Sequence, residues 1–308
     1  MKKIVGLLIM VLILSSVTYN VYAKSETFEV VNFSSDNFQM SREQIGQFNN
    51  IGSEILQGYK CQSTLSEEFR VGDLVNPLSI LDDRGLIFLS NVEPAPFCQI
   101  VKVKTYYDSD GDGVANYISE PTGFMVGPGI VLTAAHCVYK PDMHTVSVGV
   151  YVKPNGYTNY LAYHIADSWT ISSEYYNDPN NLNSDYDWAI ITMKENISAK
   201  TGWMGIGYSV EDIKDKQITV SGYPGDEKYI GHQCCSTGVM NSISEYRVQH
   251  TANTLPGHSG SPIFNSDGVA WAIHTHGGGQ YNYGTRFDIN LYGLLKQKIY
   301  NDICKYYD

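Results

Sequence analysis

Positive charge is scarce in this chain: 21 Lys and Arg face 32 Asp and Glu, for a formal net charge of -11. A phosphate-binding surface needs a basic face, so nucleic acid is not an expected partner. Charged residues of both signs make up only 17% of the chain. No apolar run beyond the first two dozen residues approaches the length of about 20 residues that a membrane helix requires. The six cysteines, Cys61, Cys98, Cys137, Cys234, Cys235 and Cys304, form no paired C-x-x-C knuckles, so a structural zinc site is not expected. Repeats of solenoid period and low-complexity tracts are also missing.

What is abundant points to strands. The 24 tyrosines and 28 glycines suit pleated, half-buried strands joined by tight turns. The amino terminus is of another kind. Lys2 and Lys3 precede the apolar run Ile4 to Val17, and Val21-Tyr22-Ala23 closes it with a small-x-small ending. This is the pattern of a signal peptide over residues 1–23, too short to span a bilayer. The expectation is export: a secreted, extracellular protein with no membrane attachment once the signal is removed, and monomeric. Export permits disulfides, with a connectivity that the sequence leaves open.

Residues 24–78 are polar and mixed, with helix-compatible stretches such as Ser41 to Leu56 and no strong strand pattern. From Ser79 onward short strand-like runs alternate with Gly, Pro, Asn and Asp clusters, as in Gly129 to Thr133, Ala189 to Met193 and Val269 to His274. The stretch Asn290 to Ile303 has the apolar spacing of a helix. The expected class is all-β, with a C-terminal helix.

Three local motifs occur in the order His, Asp, Ser. Val131-Leu132-Thr133-Ala134-Ala135-His136-Cys137 is an apolar strand end that runs through two small residues into an imidazole. Tyr186-Asp187-Trp188-Ala189-Ile190-Ile191 places a carboxylate at the mouth of an apolar strand. Pro256-Gly257-His258-Ser259-Gly260-Ser261-Pro262 sets a serine between glycines that permit a sharp loop. A serine hydroxyl needs an adjacent base, an imidazole titrates in the range to serve as one, and a carboxylate fixes its tautomer. The backbone N–H groups of Gly257 and Ser259 would form an oxyanion hole. Asp185 competes with Asp187 for the role of acid, because residues two apart on a strand share a face.

With these residues the chain resembles the bacterial glutamyl endopeptidases, a family of chymotrypsin-fold serine proteases. Ser221-Gly222-Tyr223-Pro224-Gly225-Asp226, Ala272-Ile273-His274-Thr275 and Tyr283-Gly284-Thr285-Arg286 add to the likeness, which runs from about Ser79 to Ile303. The resemblance implies two packed six-stranded antiparallel β-barrels in a protease domain over 79–308. It implies a triad of His136, Asp187 and Ser259, peptide or protein substrates, and no cofactor or metal in the chemistry. It also implies that Thr254 and His274 contact an acidic side chain, so that cleavage follows Glu and, more weakly, Asp. Residues 24–78 would be a propeptide, and the new amino group near Ser79 or Ile80 would lie beside the specificity pocket. Relatives often pair the cysteine after the catalytic histidine with one before the preceding strand. No cysteine stands there, so Cys137 is left with Cys98, another partner or none.

Two features stand outside that pattern. Asp108, Asp110 and Asp112 match the first half of a calcium loop, but Ser119 occupies the twelfth position where an acid belongs. A solvated hairpin tip is the preferred reading, and structural calcium the second. His276 could pair with His274 on one metal, but no third ligand accompanies them. His144, His164, His232, His250 and His258 read as surface or locally hydrogen-bonded residues. The competing functions are a chymotrypsin-fold protease of other specificity and a secreted binding protein on an inactive protease scaffold.

Overall fold

Strand-forming runs separated by turns can satisfy every backbone group by closing into barrels, and this chain does so twice. The computed structural model describes residues 28–34, 41–45, 53–58, 85–153, 159–179, 185–209, 213–242 and 244–307. The signal segment, Cys61 and the boundary at 79 lie outside the described residues.

Three strands come from the polar amino-terminal segment: β1 (Phe28–Ser34), β2 (Ser41–Ile45) and β3 (Ser53–Leu56). Here the expectation of helix-compatible structure over Ser41 to Leu56 is corrected. Gly46 and Gly52 interrupt that stretch, each costing a helix about 1 kcal/mol relative to Ala. The sheets that follow offer strand edges with which the segment pairs instead.

A short strand β4 (Ile87–Phe88) leads to the first barrel. It is built from β5 (Ile100–Asp108), β7 (Thr122–Met125), β8 (Ile130–Thr133), β9 (His144–Val152), β10 (Ala162–Ser172) and β11 (Ala189–Met193). The order is β11-β8-β7-β5-β9-β10, closed by β10 on β11, and β6 (Tyr117–Ser119) flanks β5. β10 leads into a one-turn helix α1 (Ser173–Asn177), where Ser172 Oγ accepts the Tyr175 N–H at 2.9 Å.

After β12 (Gly205–Ser209) the second barrel uses β13 (Lys216–Gly222), β14 (Cys234–Ser242), β15 (Arg247–His250), β16 (Pro262–Phe264), β17 (Val269–Gly278) and β18 (Tyr281–Arg286). It runs β16-β13-β14-β15-β18-β17 and closes by β16 on β17. The two six-stranded antiparallel barrels that the resemblance implied are therefore present. Trp169 and Trp188 are fully buried in the first core, where a large apolar side chain contributes roughly 1.5–3 kcal/mol or more. Trp188 follows Asp187 directly, so its burial anchors the acid.

No disulfide joins the five described cysteines to one another. Cys98 Sγ donates to the Thr201 carbonyl at 3.5 Å, whereas Cys137 Sγ faces His136. Cys234 and Cys235 are neighbours on β14 and project to opposite faces, each into a separate buried cluster.

The chain ends in α2 (Ile289–Tyr307), longer than its apolar spacing suggested. It returns to the first barrel, where Asp302 Oδ2 accepts the Gly129 N–H at 2.6 Å. Asp288 caps the helix by accepting the Leu291 N–H at 2.7 Å, and burial pushes its carboxyl up to about 7. A carboxyl whose folded value is raised supplies stability below its unfolded value, and that stability is lost as pH rises through the folded one. Asp288→Asn keeps an acceptor at the cap without the charge. Its unfolding free energy, relative to the parent, is expected to grow by a few kcal/mol between about pH 4 and pH 7.5. Urea denaturation of both proteins at the two pH values measures it, and a constant difference would contradict the assignment.

Candidate active site

Ala134 and Ala135 are fully buried, and only small side chains fit where β8 turns into the single 3-10 turn that carries His136. The backbone N–H of His136 donates to Asp187 Oδ1 at 3.0 Å, and its ring Nδ1 lies 2.7 Å from Asp187 Oδ2. One carboxylate thus fixes both the backbone and the ring of the histidine. Burial opposes charge on the imidazole, but the Asp187 carboxylate outweighs it and holds His136 well above its ordinary value. Burial raises Asp187, and the His136 charge with its two hydrogen bonds reverses this to a net lowering.

Asp185 is occupied elsewhere. Its Oδ1 pairs with Arg247 Nη2 of the second barrel at 2.7 Å. Beside it the rings of Tyr186 and Tyr246 lie 5.2 Å apart, and Thr285 Oγ1 donates to the Asp187 carbonyl at 3.2 Å. The seam between the barrels is therefore pinned at three successive residues around the acid.

Ser259 comes from the loop between β15 and β16. Gly257 has φ +100° and Gly260 φ +87°, backbone states that only glycine adopts without strain. A Cβ on Gly260 would also overlap the Thr122 carbonyl and the Thr133 hydroxyl. The Pro256 carbonyl accepts the Gly225 N–H at 2.8 Å, and the His258 carbonyl accepts the Ser261 N–H at 2.9 Å. In a trans peptide the N–H points opposite to the carbonyl, so these two bonds turn the Gly257 and Ser259 N–H groups the other way. Neither N–H donates to a carbonyl among the described residues. The Ser259 hydroxyl donates to the Thr275 carbonyl at 3.1 Å, and His136 Nε2 faces Cys137 Sγ at 3.7 Å. In this conformation the serine hydroxyl is thus engaged by the Thr275 carbonyl and makes no hydrogen bond to the imidazole among the described residues.

A cleft of about 660 Å³ joins these groups and is lined by His136, Asp187 and Ser259 together with Thr254, His274 and His276. His274 is 2% exposed, and its Nδ1 lies 3.1 Å from His250 Nε2. Burial and the neighbouring histidines hold His274 well below its ordinary value, and burial puts His250 at about 3 and His258 at about 4. All three are neutral at physiological pH. Both His250 and His258 are fully buried; His258 is locally hydrogen-bonded to Leu255, as expected, whereas His250 instead supports the pocket histidine from the neighbouring side. Only its place on β15 reveals this, since nothing in the local sequence brings residues 250 and 274 together. Asn282, also on the cleft wall, donates Nδ2 to the Ala252 carbonyl at 2.7 Å and had no sequence signal.

A β-bulge between His274 and His276 breaks their shared register. His276 stacks on Tyr283, with ring centroids 4.9 Å apart. Asp108, Asp110 and Asp112 do converge, with their carboxylate oxygens within 4.8 Å of one another. Asp108, however, already accepts N–H groups from Asp110, Gly111 and Gly113 at 3.1, 2.7 and 2.7 Å.

Comparison with known proteins matches residues 121–273 to the trypsin-like peptidase domain. A glutamyl endopeptidase of Bacillus licheniformis is 31% identical over 202 residues, covering 59% of this chain and 60% of that protein. A protein of Bacillus subtilis named extracellular metalloprotease is 30% identical over 191 residues, 57% of this chain and 56% of its own length. The chain thus spans about 60% of the length of such relatives. Among solved structures, a Glu endopeptidase in complex with MPD aligns with a TM-score of 0.60 at 24% identity, covering 72% of this chain and 99% of that one. The second barrel extends beyond the matched segment, since the end of β17 and all of β18, with Asn282, lie past residue 273.

Proposed function

We propose that this protein is a secreted serine endopeptidase that cleaves peptide bonds after Glu, and more weakly after Asp. The observation that carries the reading is the two-point grip of Asp187 on His136, beside a serine loop whose Gly257 and Ser259 N–H groups each point away from a bonded carbonyl. In the mechanism, Ser259 Oγ leaves the Thr275 carbonyl and turns to His136 Nε2. The neutral imidazole takes the hydroxyl proton as Oγ bonds to the scissile carbonyl carbon. The resulting oxyanion is met by the Gly257 and Ser259 N–H groups. His136 then gives the proton to the leaving amine, and water repeats the sequence on the acyl-enzyme. No metal enters these steps.

The specificity reading rests on neutral donors. A buried carboxylate needs hydrogen bonds to offset its desolvation. Thr254 Oγ1 and a His274 tautomer whose Nδ1 accepts from His250 supply them from the cleft wall without a standing cation. A fluorophosphonate probe tests the activated serine, since only a serine with a working base labels rapidly. Cleavage profiling on a mixed peptide library tests the pocket. Cuts confined to Glu and Asp are expected, with Thr254→Val and His274→Leu each lowering kcat/KM on Glu substrates by about 10–10³-fold while probe labelling changes little. Cuts after Lys, Arg or aromatic residues would reject the pocket and leave the triad standing.

Residues 1–23 are proposed as the export signal and 24–78 as a segment removed on maturation. The new amino group near Ser79 or Ile80 would then add positive charge beside the bound carboxylate. Amino-terminal sequencing of the secreted form checks the cut. The Asp108–Gly113 turn is proposed as a self-capped hairpin tip. Calcium is expected to leave the melting temperature unchanged, and a rise abolished by Asp110→Ala would assign the ion instead.

A further inference from the structure

Strand edges are costly to leave bare, because their N–H and C=O groups need partners. In the first barrel, one edge of β10 is covered by β9 only through Ala162–Ile165. From Ser168 to Ile171 that strand pairs with β11 on one side, and from Ser168 to Ser172 with β1 on the other, in the register Val30↔Ser172 to Ser34↔Ser168. In the second barrel's sheet, β12 meets β17 only at Gly205 and Ile206. Its remaining length is covered by β3, from Ile206↔Leu56 to Ser209↔Ser53. Gly58 continues that contact: a Cβ there would overlap the Gly205 amide and the Trp203 carbonyl.

One stretch of chain therefore completes an edge in each barrel's sheet. The first attachment point also bears on the cleft. Val31 pairs with Ile171, and Ile171 pairs with Ala189, two residues beyond Asp187. His136 and Asp187 belong to the first barrel, whereas Ser259 belongs to the second, so the triad is complete only when the barrels are held together.

We propose that the bare edges of β10 and β12 form a bipartite binding site whose occupant is the chain's own residues 28–58. The segment clamps both barrels by strand addition and stays bound as a separate polypeptide after the chain is cut downstream of it. Each anchor alone is a short backbone ladder of few hydrogen bonds, each individually weak. Joined by residues 35–52 they act together, because binding of one holds the other at high effective concentration. The clamp depends on where residues 28–58 lie and not on whether the domain hydrolyses peptides.

The test uses the full chain carrying Ser259→Ala, to prevent self-digestion, with a recognition sequence for an unrelated protease inserted after Asp73. After complete cutting, the amino-terminal fragment is expected to co-elute with the barrels on size exclusion. Amides 168–172 and 206–209 should remain protected from hydrogen exchange as in the uncut protein. Val31→Pro, which removes a ladder N–H, and Gly58→Leu, which blocks the second anchor, should each speed fragment release about 10²-fold or more. Separate elution of the parent fragment overturns the clamp, as does retention of both variants at the parent rate. Should a variant fail to fold, the parent elution and exchange measurements decide alone. Ser259→Ala leaves them independent of the catalytic reading, which the probe experiment judges separately.

Discussion

Ser259→Ala is expected to lower the rate of peptide hydrolysis by roughly 10⁵–10⁶-fold while the fold and melting temperature stay close to the parent's. The expectation follows from the division of labour in the site. Removing Oγ removes the atom that bonds to the substrate, yet the loop stays in place. Its shape is set by Gly257 and Gly260 and by the backbone bonds of Pro256, His258 and Gly260. The lost hydroxyl makes a single part-buried bond to the Thr275 carbonyl, so little stability goes with it. His136→Ala should cost a similar factor, and the double variant hardly more than either single one, because base and nucleophile act as a unit. Substrate binding should survive in the Ser259→Ala protein, with Thr254, His274 and both oxyanion N–H groups untouched. Turnover near the parent's in the purified, correctly processed variant would remove Ser259 from the mechanism.

The residues of that site were legible in the sequence to the extent that each is specified by its immediate neighbours. Two alanines before His136, an apolar strand after Asp187 and glycines around Ser259 are local requirements of geometry. Their order along the chain then suggested the chemistry. Asp185 against Asp187 was not decidable locally, because the sequence reads both as one face of a strand, whereas both precede β11 and reach different partners. The partner that separates them is Arg247, more than sixty residues away on another barrel. The same limit hid His250 behind His274, since a β15 histidine reaches the β17 histidine only through strand order. The amino-terminal strands escaped for a related reason. Phe28–Ser34 and Ser53–Leu56 lack a clear alternation of their own, and their extended form comes from the edges they cover. Propensity yields to such pairing because strand preference is largely a matter of neighbours.

Asp187→Asn is expected to lower kcat/KM by about 10⁴-fold, whereas Asp185→Asn should cost less than about fivefold. An asparagine at 187 can still accept the His136 backbone N–H through its Oδ1. Its other atom at the ring is then an NH₂ group, which donates to Nδ1 and forces the proton onto Nε2, the position that must be free to receive the serine proton. The charge is lost too. Burial lowers the His136 value, and the Asp187 carboxylate together with the neighbouring Cys137 more than restores it, so the variant loses the larger of the two influences that oppose burial. The base works only when neutral. In the parent, activity should therefore rise with pH through a value above 6.5, the ordinary value for histidine, and in Asp187→Asn the residual activity should rise at a lower pH. A merely structural loss would lower the rate without moving that limb. Asp185 offers the control: its partner Arg247 is on the seam and partly exposed, where an ion pair contributes about 0–1 kcal/mol, and its removal leaves the imidazole's tautomer and charge environment in place. Rate–pH profiles of the parent and both variants on one Glu-containing substrate make the comparison. A large loss in Asp185→Asn with a mild one in Asp187→Asn would transfer the role of acid to Asp185.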